Sequence, residues 1–376
     1  MLPMTPGAVF VCGFTLSMPL LVLGGPDSSG PGKPQYDDGT IVIPAADPAE
    51  PLRKEVSVAL ADRYLSDGSK AWSLSKNCVS CHTNGAYLTL RSPLTPWLGM
   101  PDAGARDFFV GELQRLRAAQ PDSLQKGTKP AQAIYLAAGL AEWDRSVTKG
   151  LSPETISALE LMFRLQLPEG SWASLDCWPP YESDAWHLAT VAAGAAGSAP
   201  GWLDSASGKN HQRQLGRLQS YLTQQKPPHD YGATLLLLAS TRMSGIVDMA
   251  RKQELIEMIL GHQRADGGWS IRTFARPESW GRGNRAEKLR AEPEADDPSS
   301  DGHQTGLALV ALHEAGVLSD DPRLRRGIDW LRSHQQQSGR WWTRSLNTDT
   351  YHFITYSGTA YPLLALGLYG ELPLAR

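Results

Sequence analysis

The feature that most constrains this chain is an internal repeat in which Gln is followed six positions later by Trp, with Gly between them. QLPEGSW ends at Trp172, QRADGGW at Trp269 and QQQSGRW at Trp341. Each lies at the end of an amphipathic helical pattern such as RKQELIEMILGHQ. Each is followed, after a loop, by a helix of small and apolar residues: DAWHLATVAAGAAG, DGHQTGLALVALHEAG and SGTAYPLLALGLYG. A fourth apolar helix, DYGATLLLLAS, follows a degraded copy of the motif that ends at Tyr231. Repeats of this kind decide the fold before any other signal does.

The pattern reads as helical hairpins. The first helix of each pair has a charged face and lies outside; the second is apolar nearly all round and is buried on several sides. Outer helices are predicted at residues 53–74, 105–120, 152–166, 205–225, 246–263 and 321–337. Inner helices are predicted at 85–99, 129–144, 184–197, 230–243, 302–316 and 356–369. Six hairpins of about 54 residues can close into a ring, so that no terminal repeat exposes an apolar face. The expected fold is therefore all-α, a single (α/α)6 toroid over residues 51–376, with an open solenoid as the alternative. A long segment at 271–300, rich in Arg, Glu and Pro, interrupts the fifth hairpin and reads as a lid, a docking surface or a solvated loop.

Composition bounds the rest. A chain of 376 residues that is 41% hydrophobic and 20% charged can bury a sizeable core. Its net charge of −3 gives no electrostatic case for nucleic acid. Residues 1–25 include an apolar run from Val9 to Gly25 and read as a signal peptide or short anchor, although no Lys or Arg precedes Lys33. Residues 26–50 read as a disordered Pro/Gly linker. The expected location is exported: periplasmic, or anchored facing the periplasm, with membrane association only through the N-terminal segment.

The Gln-to-Trp segments, with their Gly-rich middles, resemble the QW repeats of terpenoid cyclases and protein prenyltransferases. The resemblance covers the chain well from about Leu151 onward, and it implies the α/α-toroid fold. It does not carry over a squalene–hopene-type activity, because the DxDD acid motif is absent; the nearest cluster is EADDPSSDG. The zinc pattern of prenyltransferase β subunits is matched closely by DTYH at Asp349 to His352 and loosely by DGH at Asp301 to His303. Zinc at Asp301, His303 and His352 is the metal alternative.

The strongest chemical motif is NCVSCHTNG, with Cys78, Cys81 and His82 in CxxCH order. Two thiols at that spacing can add to the vinyl groups of one heme, and the adjacent His can reach the iron. The motif resembles c-type cytochromes at these five positions only, and it implies covalent heme c. A CxxC redox pair and half of a zinc site are the competing readings. The motif occupies the slot where other repeats carry the Gln-to-Trp turn, so heme is expected at the face where the inner helices start. His352 is the first candidate for the sixth ligand, with His187 and His303 behind it; an open position is the other outcome.

Asp184, Asp230 and Asp301 precede or begin inner helices and are the catalytic candidates; helix capping is the plainer reading of each. The aromatic residues gathered at the same face could stabilise a cation or pack a porphyrin. The reading taken forward is an exported monoheme protein, an oxidoreductase coupling electron transfer with a redox partner protein to binding or oxidation of an apolar small molecule in the ring cavity. The alternatives are a terpenoid cyclase or prenyltransferase-like enzyme and a non-catalytic binding toroid.

Overall fold

The computed structural model describes residues 33–182 and 184–375; the predicted signal segment lies outside them. Outer helices are α1 (Val58–Lys76), α3 (Ala103–Ala118), α5 (Pro153–Arg164), α7 (Gln212–Gln224), α9 (Met249–Gly261) and α11 (Pro322–Ser333). Inner helices are α2 (Asn84–Arg91), α4 (Lys129–Trp143), α6 (Ala185–Ser198), α8 (Asp230–Ser240), α10 (Gly302–Glu314) and α12 (Ile354–Leu368). Each inner helix packs on the next, and α12 packs back on α2. The ring is closed, which removes the open solenoid. The first inner helix is shorter than expected: Pro93 and Pro96 divide residues 92–98 into two further turns.

The repeat motif explains the closure. Trp172, Trp269 and Trp341 are fully buried. Each indole N–H donates to the carbonyl ten residues earlier on its outer helix: Met162, Ile259 and Leu331, at 2.7–2.8 Å. The Gln side chain does two jobs. Gln166 and Gln263 each donate to the Gly carbonyl of their own turn and to a carbonyl at the start of the next outer helix. Gln335 does the same with Gly339 and Ser57, and so ties the last turn to the first helix. The turn glycine takes a left-handed φ, and a Cβ there would sit 2.2 Å from the Arg217 carbonyl at Gly170 or 2.5 Å from Leu60 at Gly339.

The residues before α1 correct the linker expectation from Lys33 onward. β1 (Tyr36–Asp37) and β2 (Val42–Ile43) form a small antiparallel hairpin against the ring. Tyr36 is buried, Gln35 donates to the carbonyls of Tyr351 and His352, and Arg340 donates to the Pro44 carbonyl. These groups bind a Pro-rich stretch because its backbone polar atoms find partners on the last turn of the ring.

The 271–300 segment is an ordered cover rather than a free loop. Trp280 is 1% exposed and packs on His229 and Tyr231 with ring centroids 4.6 and 5.4 Å away. Arg272 pairs with Glu292, and Arg285 reaches Asn347. Among the described residues no helix is long and apolar enough to cross a membrane.

Candidate functional site

Among the described residues, two cavities of similar size lie along the ring, apart from a smaller charged pocket. The larger, about 350 Å³, runs between the inner helices. Small and aliphatic residues make its walls, including Ala138, Val191, Gly194, Leu235, Leu238 and Leu364. They project inward because inner helices crowded on both sides favour short side chains. At the end where the inner helices finish, the lining includes exposed Pro96 and Lys149 and partly exposed Arg145, Arg242 and Glu314. This end meets solvent. Arg145 pairs with Glu142 and Arg242 with Glu314, each at 2.6 Å.

The opposite end is closed by buried rings. Tyr135, Tyr181, Tyr231, His187 and Ser357 line it. The Tyr135 hydroxyl lies 2.6 Å from His187 Nε2, and the Tyr231 hydroxyl lies 3.2 Å from His303 Nε2. Ser357 Oγ bonds both His303 Nδ1, at 2.7 Å, and the Tyr181 hydroxyl. Burial pushes the His187 pKa down to about 4 and His303 to about 3, and raises those of the three tyrosines. The floor is therefore uncharged at neutral pH, and its hydroxyls and imidazoles are paired with one another except at His187 Nδ1, which has no hydrogen-bond partner among the described residues.

The second cavity, about 320 Å³, lies on the face where the inner helices start. Cys78, Cys81 and His82 line it with Trp72, Trp178, Phe353 and Glu182. The His82 ring stacks on Phe353 at 4.7 Å and meets the edge of Trp72 at 4.6 Å. Its Nδ1 lies 2.8 Å from Thr83 Oγ1, which lies 3.0 Å from the Tyr36 hydroxyl. Burial lowers the His82 pKa to about 3 and raises both thiols. Cys78, Cys81 and Cys177 are free thiols. Glu182 is 2% exposed, and desolvation pushes its carboxyl up to about 7. Glu182 and Tyr181 lie in an irregular stretch without a motif, so no pattern in the sequence marks them.

Other expectations are redistributed. His352 turns away from His82: its Nδ1 accepts from the Ser345 backbone, its ring packs on Trp342, and it lines a third, charged pocket with Asp301, Arg272 and Glu292. His187 and His303 belong to the floor of the first cavity, so no candidate sixth ligand shares the second cavity with His82. The zinc set does not assemble. Asp301 accepts from the backbone N–H groups of Gln304 and Ile271, and both His303 nitrogens are hydrogen-bonded. Among the described residues no group of three or more His, Cys, Asp or Glu could hold a metal ion.

The three candidate aspartates serve helix starts or neighbouring histidines. Asp184 caps α6 through the His187 N–H and lies 3.6 Å from His229. Asp230 accepts from His262 at 2.9 Å, and Asp301 caps α10. None of them lines either of the two larger cavities.

Residues 228–371 match the squalene-hopene cyclase C-terminal domain. No curated protein matches the chain. Among solved structures, ent-copalyl diphosphate synthase from Streptomyces platensis aligns over 76% of this chain and 50% of its own, at 15% identity and TM-score 0.47. The chain thus spans half the length of that enzyme. The type II terpene cyclase MstE from Scytonema aligns over 76% of this chain and 87% of its own, at 13% identity and TM-score 0.41. The match over 228–371 overturns the reading as a heme electron-transfer protein, and the oxidoreductase expectation falls with it. What remains is a ring of six helical hairpins, an all-α toroid of the terpene cyclase fold.

Proposed function

We propose that this chain is a terpene-cyclase-like protein that takes an isoprenoid-class molecule into the central cavity through the end where the inner helices finish. The observation that carries the reading is the cavity itself: aliphatic walls leading to an uncharged floor faced with Tyr135, Tyr181 and Tyr231, with Tyr361 on the wall. Such a space rewards a branched hydrocarbon with buried area, while the tyrosine hydroxyls at its floor are already paired with imidazoles or Ser357. Aromatic faces also stabilise a positive charge that forms next to them. The squalene-hopene cyclase match over 228–371 supports the same substrate class.

Cyclisation of such a molecule is an isomerisation. A proton enters at one alkene carbon, a carbon–carbon bond forms, and a proton leaves. One observation favours binding without turnover: the carboxyl groups that line the cavity, Glu142 and Glu314, are both held in ion pairs with arginine. The test is incubation of purified protein with farnesol, geranylgeraniol and squalene. Binding is followed by quenching of aromatic fluorescence, and products by gas chromatography with mass detection. Saturable binding with a ring-containing product establishes the cyclase reading, and binding alone establishes the carrier. No binding of any of the three overturns both.

A further inference from the structure

The two large cavities share two lining residues, Tyr181 and Cys81. Tyr181 lies between Trp172 and α6, in a stretch without regular secondary structure, not on a ring helix. Its ring stands between imidazoles on either side: His82 of the second cavity at 6.3 Å, and His187 of the first at 6.2 Å. Its hydroxyl is tied to Ser357 on α12, which anchors the ring across the axis of the toroid. The space on the far side is almost as large as that on the near side, about 320 against 350 Å³. It too is walled by aromatic and apolar side chains, notably Trp72, Trp178 and Phe353.

We propose that Tyr181 is the specificity-determining residue of the central cavity, a partition that sets the longest isoprenoid chain the toroid admits. This rests on the reading of that cavity as an isoprenoid site. A chain entering from the open end meets the Tyr181 ring after filling the first cavity. Beyond that length each further unit stays in water, or the chain folds back at a cost in packing. Removing the ring joins the two cavities and roughly doubles the available space. Cys81, the other side chain that the two cavities share among the described residues, is too small to close the gap alone.

The experiment measures dissociation constants for geraniol, farnesol, geranylgeraniol and longer linear prenyl alcohols. It uses the wild-type protein, Tyr181→Phe, Tyr181→Leu and Tyr181→Ala, each checked by thermal melting. Wild-type affinity is expected to rise with each isoprene unit up to a limiting length and then stop rising. Tyr181→Phe, which loses the Ser357 bond but keeps the ring, should retain that limit. Tyr181→Ala should move it to a longer chain, with about tenfold or more tighter binding of the first alcohol beyond the wild-type limit. Tyr181→Leu carries the test if the alanine variant does not fold. Adding Ala131→Phe, which fills only the second cavity, should restore the original limit. Folded Tyr181→Ala and Tyr181→Leu proteins that keep the wild-type limit overturn the proposal. Failure of the wild-type protein to bind any alcohol overturns the isoprenoid reading instead.

Discussion

Gln335 holds Ser57 by both of its backbone polar groups: its Oε1 accepts from the Ser57 N–H at 2.6 Å, and its Nε2 donates to the Ser57 carbonyl at 3.1 Å. The two residues are 278 positions apart, and their contact is the seam of the ring. The same amide also donates to Gly339 and stabilises its own turn. Closure therefore needs no dedicated latch. The last repeat treats the first outer helix as the next member of the series.

Gln335→Ala leaves the partly buried Ser57 N–H and carbonyl and the buried Gly339 carbonyl without this partner at the seam. The expected loss is about 2–3 kcal/mol of unfolding free energy, read by urea denaturation. Gln166→Ala, which breaks an equivalent joint within the ring, should cost a similar amount. A seam variant that unfolds with unchanged midpoint and slope would show that closure does not depend on this amide.

Glu182 gives a pH signature. Its carboxyl titrates at about 7 when folded, above the ordinary glutamate range, because burial penalises the charged form. The folded state therefore holds this proton more tightly than the unfolded chain. The stability that follows is present below the unfolded pKa and is lost as pH rises through about 7. Glu182→Gln should remove this contribution, so the variant gains on the wild-type protein between about pH 4.5 and 7, by up to about 3 kcal/mol. Denaturation midpoints for both proteins at pH 5 and 8 check it; a difference that does not change with pH defeats the assignment.

His187 and His303 act in the opposite sense. Burial lowers both, to about 4 and about 3. Their contribution is present above the unfolded value near 6.5 and is lost as pH falls through the folded values. The Tyr135–His187 and His303–Ser357 pairs should therefore weaken in acid. Imidazole proton resonances that stay at their neutral positions down to about pH 5 are the expected observation. Titration near 6.5 would mean that the floor is wet.

Gly194 tests the entrance. It lies on α6 within the cavity lining, and a Cβ added there meets nothing within 4 Å. Gly194→Phe should fold normally, since a helical glycine is replaced by a better helix former, a gain of a few tenths of a kcal/mol. It should also weaken farnesol binding by about tenfold, the expectation for a side chain that occupies ligand space. Unchanged binding by a folded variant would place the ligand elsewhere.

Trp280 tests the cover over the other face. Trp280→Ala removes a buried indole packed against His229 and Tyr231, and should cost about 3–5 kcal/mol. A melting temperature within a degree of wild type would mean that the 271–300 segment is held by its ion pairs alone.

The helical ring was legible because its signals are local. The Gln-to-Trp spacing, the acid or serine before a helix and the apolar face of each second helix all lie within one turn or one hairpin. Trp172, Trp269 and Trp341 each close on a carbonyl ten residues away, a contact the motif carries within itself. The candidate site was less legible. Asp184, Asp230 and Asp301 looked catalytic by type and position, yet their oxygens are used by helix N–H groups and neighbouring histidines. A carboxylate satisfied by its own helix start and one placed to meet a ligand read alike in sequence.

The number of hairpins, which helices are inner and which outer, and the turn that joins one repeat to the next are all written into the amino-acid order. Each of these follows from side-chain period and short-range hydrogen bonding. Which end of the ring is open, the turn of His352 away from His82 and the position of Tyr181 on the lining of both cavities emerge from the folded chain. Those outcomes depend on where loops of unrelated sequence settle once the ring has closed, and on which buried polar atoms find each other across it. Pairing Tyr181 with Ser357, 176 positions later, is a choice made by packing alone.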